Sequence, residues 1–382
     1  MTCTGIHPVS GAHVEISFNS VIQSVEDLLK PIEAPARLAP GFIDLQVNGF
    51  AGVDYNSPHT PHEEIARSIR VQYATGVTRF FPTVITGSPA RMSGALQNLA
   101  RAKESLKEGS AMEAFHVEGP HISPEDGPRG AHPREAVRPP DLEEYRRWQD
   151  AAQGNVRLVT LSPEWPDALR YIEALVRDGV VVAIGHTKAD SAQIADAVSA
   201  GATMSTHLGN GAHSVLPRHP NYIWDQLAED RLAASFIVDG IHLPASFLKV
   251  ALRAKGIERS VLVTDAVMPA GCTPGRYRLG EVEVELRADE SVVLAGGTRL
   301  AGSSLRMDRG VSNLMRLAGL SLLEALTTAT RNPARAGRVG SRLRGLMPGD
   351  RADIVQFRHD PETHAIRIEK TWAGGELVYS AE

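Results

Sequence analysis

Cysteine is nearly absent. The chain has two, Cys3 and Cys272, in 382 residues, too few for a disulfide framework and too far apart for a C-x-x-C redox or zinc pair. That usage suits a reducing cytoplasm. Long apolar runs are missing too: Asp, Glu, Lys or Arg interrupts every apolar stretch well before about 18 residues, which excludes a membrane-spanning helix. The N-terminus lacks the charged segment and apolar run of a secretory signal, so the chain reads as soluble and unsecreted. Neither sign of charge dominates. Lys plus Arg total 40 against 45 for Asp plus Glu, a net charge of −5, and no overall basic field invites nucleic acid or anionic lipid. Aromatic residues are scarce at 5%, yet 42% of the chain is hydrophobic and 22% charged, the balance of a folded protein rather than a disordered one. At this length roughly three quarters of the unfolded surface is removed from water. The length allows two or three domains, or one large barrel with an appendage.

Short runs rich in Val, Ile, Leu and Phe recur at 42–47, 78–84, 114–117, 156–161, 180–184, 202–205, 233–238 and 261–263. Their near-continuous apolar character is what strands buried on both faces of a parallel sheet require. Helix-period segments lie between them, among others at 61–74, 90–106, 165–177, 191–200 and 244–255. Eight such β–α units predict a (β/α)8 barrel over residues 41–342. A doubly wound open sheet is the weaker alternative, because no G-x-G-x-x-G turn follows the first strand. Residues 1–40 and 343–382 fall outside this rhythm and read as small β elements. The alternation of Val282, Val284 and Leu286, followed by Val292 to Leu294, predicts a hairpin inserted after the eighth strand.

Histidine is unevenly spread. Of 14, His116, His121, His132, His186, His207, His213, His219 and His242 crowd into one central stretch. Their places relative to the strands matter most, since the carboxyl ends of barrel strands converge on one face. Glu118 closes the third strand, His186 the fifth, His207 the sixth and Asp265 the eighth, so four ligand-type side chains should meet on one rim. One carboxylate and two neutral imidazoles make a divalent-metal set with room for water. Asp265 is then placed to accept a proton from that water and deliver one to a leaving nitrogen, the chemistry of amide hydrolysis.

Other positions carry weaker signals. In His116-Val117-Glu118-Gly119-Pro120 a sharp turn past the carboxylate would hold it at the strand tip. His132, in the loop after the third strand, can polarise a scissile carbonyl. His242, after the seventh strand, can hydrogen-bond an anionic substrate or pair with a nearby carboxylate. Thr206-His207-Leu208-Gly209-Asn210-Gly211 opens into a loop whose N–H groups can hold an oxyanion or phosphate. Arg218, stiffened by Pro217 and Pro220, offers a guanidinium to solvent or to an anion. His121, His213 and His219 read as ordinary loop histidines.

Taken together these segments resemble the N-acetylglucosamine-6-phosphate deacetylases of the amidohydrolase superfamily. The resemblance rests on Pro40-Gly41-Phe42-Ile43-Asp44-Leu45-Gln46-Val47-Asn48-Gly49, Phe81-Pro82-Thr83, the Glu118 segment and Gly130-Ala131-His132-Pro133. It continues through Ile184-Gly185-His186-Thr187, Thr206-His207-Leu208, Asp239-Gly240-Ile241-His242, Val263-Thr264-Asp265-Ala266 and Leu300-Ala301-Gly302-Ser303-Ser304. It implies a (β/α)8 barrel with a small β-sandwich built from both chain ends, often a homodimer, that hydrolyses the acetamido group of a phosphorylated amino sugar. It implies Glu118, His186 and His207 as metal ligands, Asp265 as catalytic acid/base, His132 as the group polarising the acetyl carbonyl, and His242 as a substrate contact. Where many superfamily members carry His-x-His on strand one for a second metal, this chain has Gln46 and Asn48, so one ion per subunit is expected: zinc, with iron, cobalt or manganese suiting the same donors. After His207 the family usually continues Phe-Asn-Ala-Met. This chain has Gly209-Asn210-Gly211-Ala212, leaving Asn210 and Gly211 as substrate contacts and Arg218 as the replacement for a phosphate-binding Arg, in its own or a neighbouring subunit's site. Two other readings share the sequence: an amidohydrolase for a different N-acyl amino sugar or acylated metabolite, and a non-catalytic sugar-binding barrel.

Overall fold

A computed structural model of the protein describes residues 1–279, 282–340 and 345–381. Eight parallel strands run in chain order around one sheet: β1 (Phe42–Val47), β2 (Val77–Ile85), β3 (Phe115–Glu118), β4 (Val156–Leu161), β5 (Val181–Ile184), β6 (Met204–Ser205), β7 (Ala233–Ile237) and β8 (Ser260–Val263). The last strand returns to the first through a parallel bridge between Val47 and Ala266, which closes the barrel at its upper rim. The bounds of β1 and β4 coincide with the apolar runs, because every residue of β1 and all but Arg157 of β4 are buried. β6 is shorter than its run and begins at Met204.

Helices follow each strand: α1 (His62–Tyr73), α2 (Pro89–Ser105), α3 (Leu142–Ala151), α4 (Ala168–Arg177), α5 (Ser191–Ser199), α6 (Tyr222–Ala228), α7 (Ala245–Lys255) and, after an insertion, α8 (Met307–Asn313). Local chemistry starts several of them. Ser88 caps α2 with Pro89 behind it, and Asp190 with Gln193 forms a capping box on α5. Strand alternation sorts the core. Val159, Leu161, Val182 and Ile184 pack against the helices, while Ile43, Leu45, Leu158, Val181, Ala183, Val261 and Val263 form a separate cluster that fills the barrel interior. Above this aliphatic layer the interior turns polar. His116 Nε2 lies 2.7 Å from Thr160 Oγ1, which lies 2.6 Å from Thr206 Oγ1, and burial pushes the His116 imidazole down to about 4, so the ring is neutral.

Both chain ends join one mostly antiparallel sheet of seven strands, in the order 376–380, 366–373, 354–359, 37–40, 2–6, 13–18 and 22–27. Its own core includes Phe18 and Trp372, edge to face with centroids 5.8 Å apart. The buried pair Arg79–Asp353, at 3.2 Å, and the bond from Thr371 Oγ1 to Tyr73 O, at 2.8 Å, fasten this sheet to the barrel. The expected boundary at 342–343 falls in 341–344, outside the described residues. The insertion is the expected β element, with strands Gly275–Leu279, Val282–Leu286 and Val292–Leu294 in one antiparallel sheet; Gly280 and Glu281 lie outside the described residues.

Candidate active site

Glu118 is the last residue of β3, while His186, His207 and Asp265 sit just past the ends of β5, β6 and β8. On β5, Val181 and Ala183 face the interior, so simple alternation would send His186 outward. The backbone prevents this. His186, His207 and Asp265 have φ of +50°, +29° and +49°, a left-handed region that side-chain-bearing residues rarely adopt. Each such turn costs roughly 1–3 kcal/mol; at His186 and His207 it reverses the outward alternation, whereas Asp265 is in step with inward-facing Val261 and Val263. All four side chains line one cavity of about 720 Å³ at the carboxyl ends of the strands.

The trio of Glu118, His186 and His207 is compact. Glu118 Oε1 lies 2.9 Å from His207 Nε2 and 3.3 Å from His186 Nε2, and the two imidazole nitrogens are 3.1 Å apart. His186 Nδ1 faces the Pro128 carbonyl at 2.8 Å. A carbonyl only accepts, so Nδ1 carries a hydrogen, and Nε2 is the atom turned toward Glu118 and His207. A single proton satisfies one of these contacts at a time, whereas a divalent cation satisfies all three donor atoms, which lie within 4.8 Å of one another. The donor set therefore fits a divalent metal. Electrostatics agree. Burial would raise Glu118, but hydrogen bonds from His186 and His207 outweigh it and hold the carboxyl well below its usual range. Burial would depress His207, but the Glu118 hydrogen bond and charge outweigh it and push the ring up to about 8.

Asp265 is held by amides. Gln46 Nε2 donates to Asp265 Oδ1 and to Glu118 Oε1, both at 3.0 Å, and Asn48 Nδ2 donates to Asp265 Oδ1 at 2.7 Å. Both donors engage the same carboxylate oxygen, so Oδ2 is left for chemistry. Burial, and then the Glu118 charge, push Asp265 up to about 6, into the range of a working general base. Beneath it, Asp44 ties β1 to β8 by accepting from Thr264 Oγ1 at 2.5 Å and from the Gln46 and Thr264 amides at 3.2 Å.

His132 is buried, with Nδ1 2.7 Å from Thr86 Oγ1 and its ring edge-on to His186, centroids 4.4 Å apart. Burial, reinforced by His186, pushes it down to about 3, so it is neutral. His242 Nδ1 donates to Asp239 Oδ2 at 2.5 Å, and the Ile241 and His242 amides donate to the other oxygen. Asn210, Gly211 and His242 line the cavity with Glu118, His186 and His207, but Arg218 does not: it is exposed on the loop beyond Gly211 and lies outside the lining of its own chain's cavity. His121 is buried, bonded to Arg138 O and packed against Trp148 and Tyr171, while His213 pairs with Tyr222 and Glu125.

Sequence reasoning noted Gln46 and Asn48 for what they do not ligate and missed what they hold. It also missed Thr86 behind His132 and the two glycines that flank the His186 ring, whereas the carboxylate partner expected for His242 is Asp239. A Cβ on Gly211 (φ +56°) would stand 2.6 Å from His186 Nδ1, and one on Gly130 (φ +60°) would stand 3.0 Å from its Cε1. Gly211→Ala is therefore expected to tilt His186 and weaken metal affinity about 10–100-fold, the usual cost of disturbing a ligand's support. Titration of the metal-free variant checks this, and wild-type affinity would refute it.

The Amidohydrolase family model matches residues 37–378. The chain is 34% identical over 353 residues to the N-acetylglucosamine-6-phosphate deacetylase of Bacillus subtilis (strain 168), covering 91% of this chain and 88% of that protein. It is 32% identical over 367 residues to the N-acetylgalactosamine-6-phosphate deacetylase of Escherichia coli O157:H7, covering 94% and 93%. The crystal structure of N-acetyl-D-glucosamine-6-phosphate deacetylase from Mycobacterium smegmatis superimposes with a TM-score of 0.86 at 31% identity, covering 96% of each chain.

Proposed function

Because this chain belongs to the amidohydrolase family, we propose that it hydrolyses the N-acetyl group of N-acetylglucosamine-6-phosphate to give acetate and glucosamine-6-phosphate. The observation that carries the reading is the meeting, in one cavity, of the Glu118–His186–His207 trio with an Asp265 carboxylate held by two amide donors.

A divalent ion held by Glu118, His186 and His207 would supply Lewis acidity to the acetyl carbonyl and the attacking water; one zinc ion is the assignment, with iron, cobalt and manganese suiting the same donors. Asp265 Oδ2 takes a proton from the water that attacks the acetyl carbon, then returns one to the departing nitrogen. Gln46 and Asn48 fix the carboxylate for both transfers. The Thr86 hydroxyl lies 2.7 Å from His132 Nδ1 and 3.4 Å from the Glu118 carbonyl, and this contact holds the neutral imidazole in place. Polarising the acetyl oxygen, the role assigned to His132, requires the tautomer with its hydrogen on Nε2. Asn210, Gly211 and His242 are assigned to the sugar phosphate. The exposed position of Arg218 suits a contact across a homodimer, and a cytoplasmic site follows from the cysteine usage.

The reading is tested by acetate release from N-acetylglucosamine-6-phosphate by the metal-loaded protein, beside the unphosphorylated sugar and the galactosamine and mannosamine analogues. Turnover of the first is expected to exceed the rest; silence on all four would sink the reading. His242→Asn is expected to raise KM for the phosphorylated sugar about 10–100-fold, the loss of a charge-assisted hydrogen bond. An equal change for the free sugar would remove His242 from the phosphate site.

A further inference from the structure

The cavity has an aliphatic wall that an acetyl group does not need. Val267 lies two residues beyond Asp265, and Val284, Leu294, Leu300 and Ala301 of the inserted β element line the same cavity. Val267, Val284 and Ala301 belong to one small apolar cluster with Leu294 packed on it, separate from the barrel core. The backbone joins this wall to the catalytic strand: Ser303 N donates to Asp265 O at 3.3 Å, Val267 N to Ser303 O at 2.9 Å, and Ala301 N to Val292 O at 2.9 Å. Among the described residues no Phe, Tyr or Trp lines the cavity, so none of them offers a ring for a sugar face to stack on. An N-acyl amino-sugar phosphate has one aliphatic extension, its acyl chain, and the acyl carbon must sit beside Asp265 to be attacked. The cavity, at about 720 Å³, lies in the upper part of the range of ligand pockets, roughly 300–1,000 Å³.

We propose that the wall formed by Val267, Val284, Leu294, Leu300 and Ala301 is an acyl subsite, and that the enzyme accepts N-acyl amino-sugar phosphates whose acyl chain is longer than acetyl. The proposal rests on the deacylase reading above and extends its substrate class. The reaction is the same: the water oxygen bonds to the acyl carbon, the C–N bond breaks, and the products are the longer carboxylate and the free amine, with both water hydrogens conserved between them. Each added methylene that enters the wall leaves water, and in a matched pocket that raises kcat/KM about four-fold.

The test is kcat/KM of the metal-loaded protein for the N-acetyl, N-propanoyl and N-butanoyl derivatives of glucosamine-6-phosphate. A rise of about four-fold per methylene is expected. Ala301→Leu narrows the wall and is expected to lower the butanoyl-to-acetyl ratio at least about ten-fold, roughly the two methylenes it displaces. Leu294→Asn, which places an amide in the wall instead of extra bulk, is expected to flatten the series, so that a failure of one variant to fold leaves the other to decide. A flat or falling wild-type series with good acetyl turnover overturns the subsite and leaves deacetylation standing. No hydrolysis of any member overturns both.

Discussion

Asp265→Asn is expected to lower kcat by a factor of about 10²–10⁴, the usual contribution of a positioned acid–base group, with the metal content unchanged. The substitution is isosteric, and Asp265 stands outside the Glu118–His186–His207 trio. Its amide oxygen can still accept from Gln46 and Asn48, which places NH2 where Oδ2 had been, and an amide nitrogen cannot take the proton of the attacking water. The pH profile separates this from a general loosening of the site. Without metal, burial and the Glu118 charge push Asp265 up to about 6. A raised carboxylate is protonated, and useless as a base, below that value. A cation beside it favours the ionised form, so the acid limb of wild-type kcat/KM should fall below pH 6, and it should be missing from the residual rate of the variant. If metal content drops along with kcat, Asp265 is a ligand. If kcat stays within ten-fold of wild type, the base is another group.

The candidate site was legible because polar residues interrupt apolar runs at one end: Glu118 closes, and His186, His207 and Asp265 each follow, a stretch that reads as a buried strand. The barrel followed from the same runs, and β1 and β4 kept the expected bounds because nearly all of their residues are buried. What stayed hidden depends on geometry that composition does not encode. The left-handed turns at His186, His207 and Asp265 fall on side-chain-bearing residues, where positive φ is uncommon, rather than on glycines such as Gly130 and Gly211. The grip of Gln46 and Asn48 on Asp265 requires the register of two strands separated by more than 200 residues, set by the Asp44–Thr264 seam. The insertion was expected as a hairpin from its alternation, but its inward face became a wall of the cavity only once it was folded over the barrel mouth. Arg218 was open from sequence to its own or a neighbouring subunit's site, and the loop carries it away from its own cavity.

Removing the divalent ion with a chelator is expected to abolish turnover and to lower the unfolding midpoint by about 5 °C. An ion present at about a thousand times its Kd stabilises the fold by about 4 kcal/mol, and a chain of 382 residues has an unfolding entropy near 0.8 kcal/mol/K on average values. The pH dependence of that shift locates the ion. In the metal-free protein Glu118 pushes His207 up to about 8, above the ordinary value of about 6.5. A raised imidazole stabilises the metal-free fold fully below about pH 6.5 and loses that contribution as pH rises through about 8. The ion must expel the same proton to reach His207 Nε2. Its apparent affinity should therefore weaken about ten-fold for each pH unit below 8 and level off above, with about one proton released per ion in calorimetry at pH 7. The stabilisation by metal should accordingly grow as pH rises toward 8. A midpoint shift indifferent to pH, with no proton released, would mean that the ion binds somewhere other than the Glu118–His186–His207 trio, since no ligand there can exchange a proton for a cation without showing it.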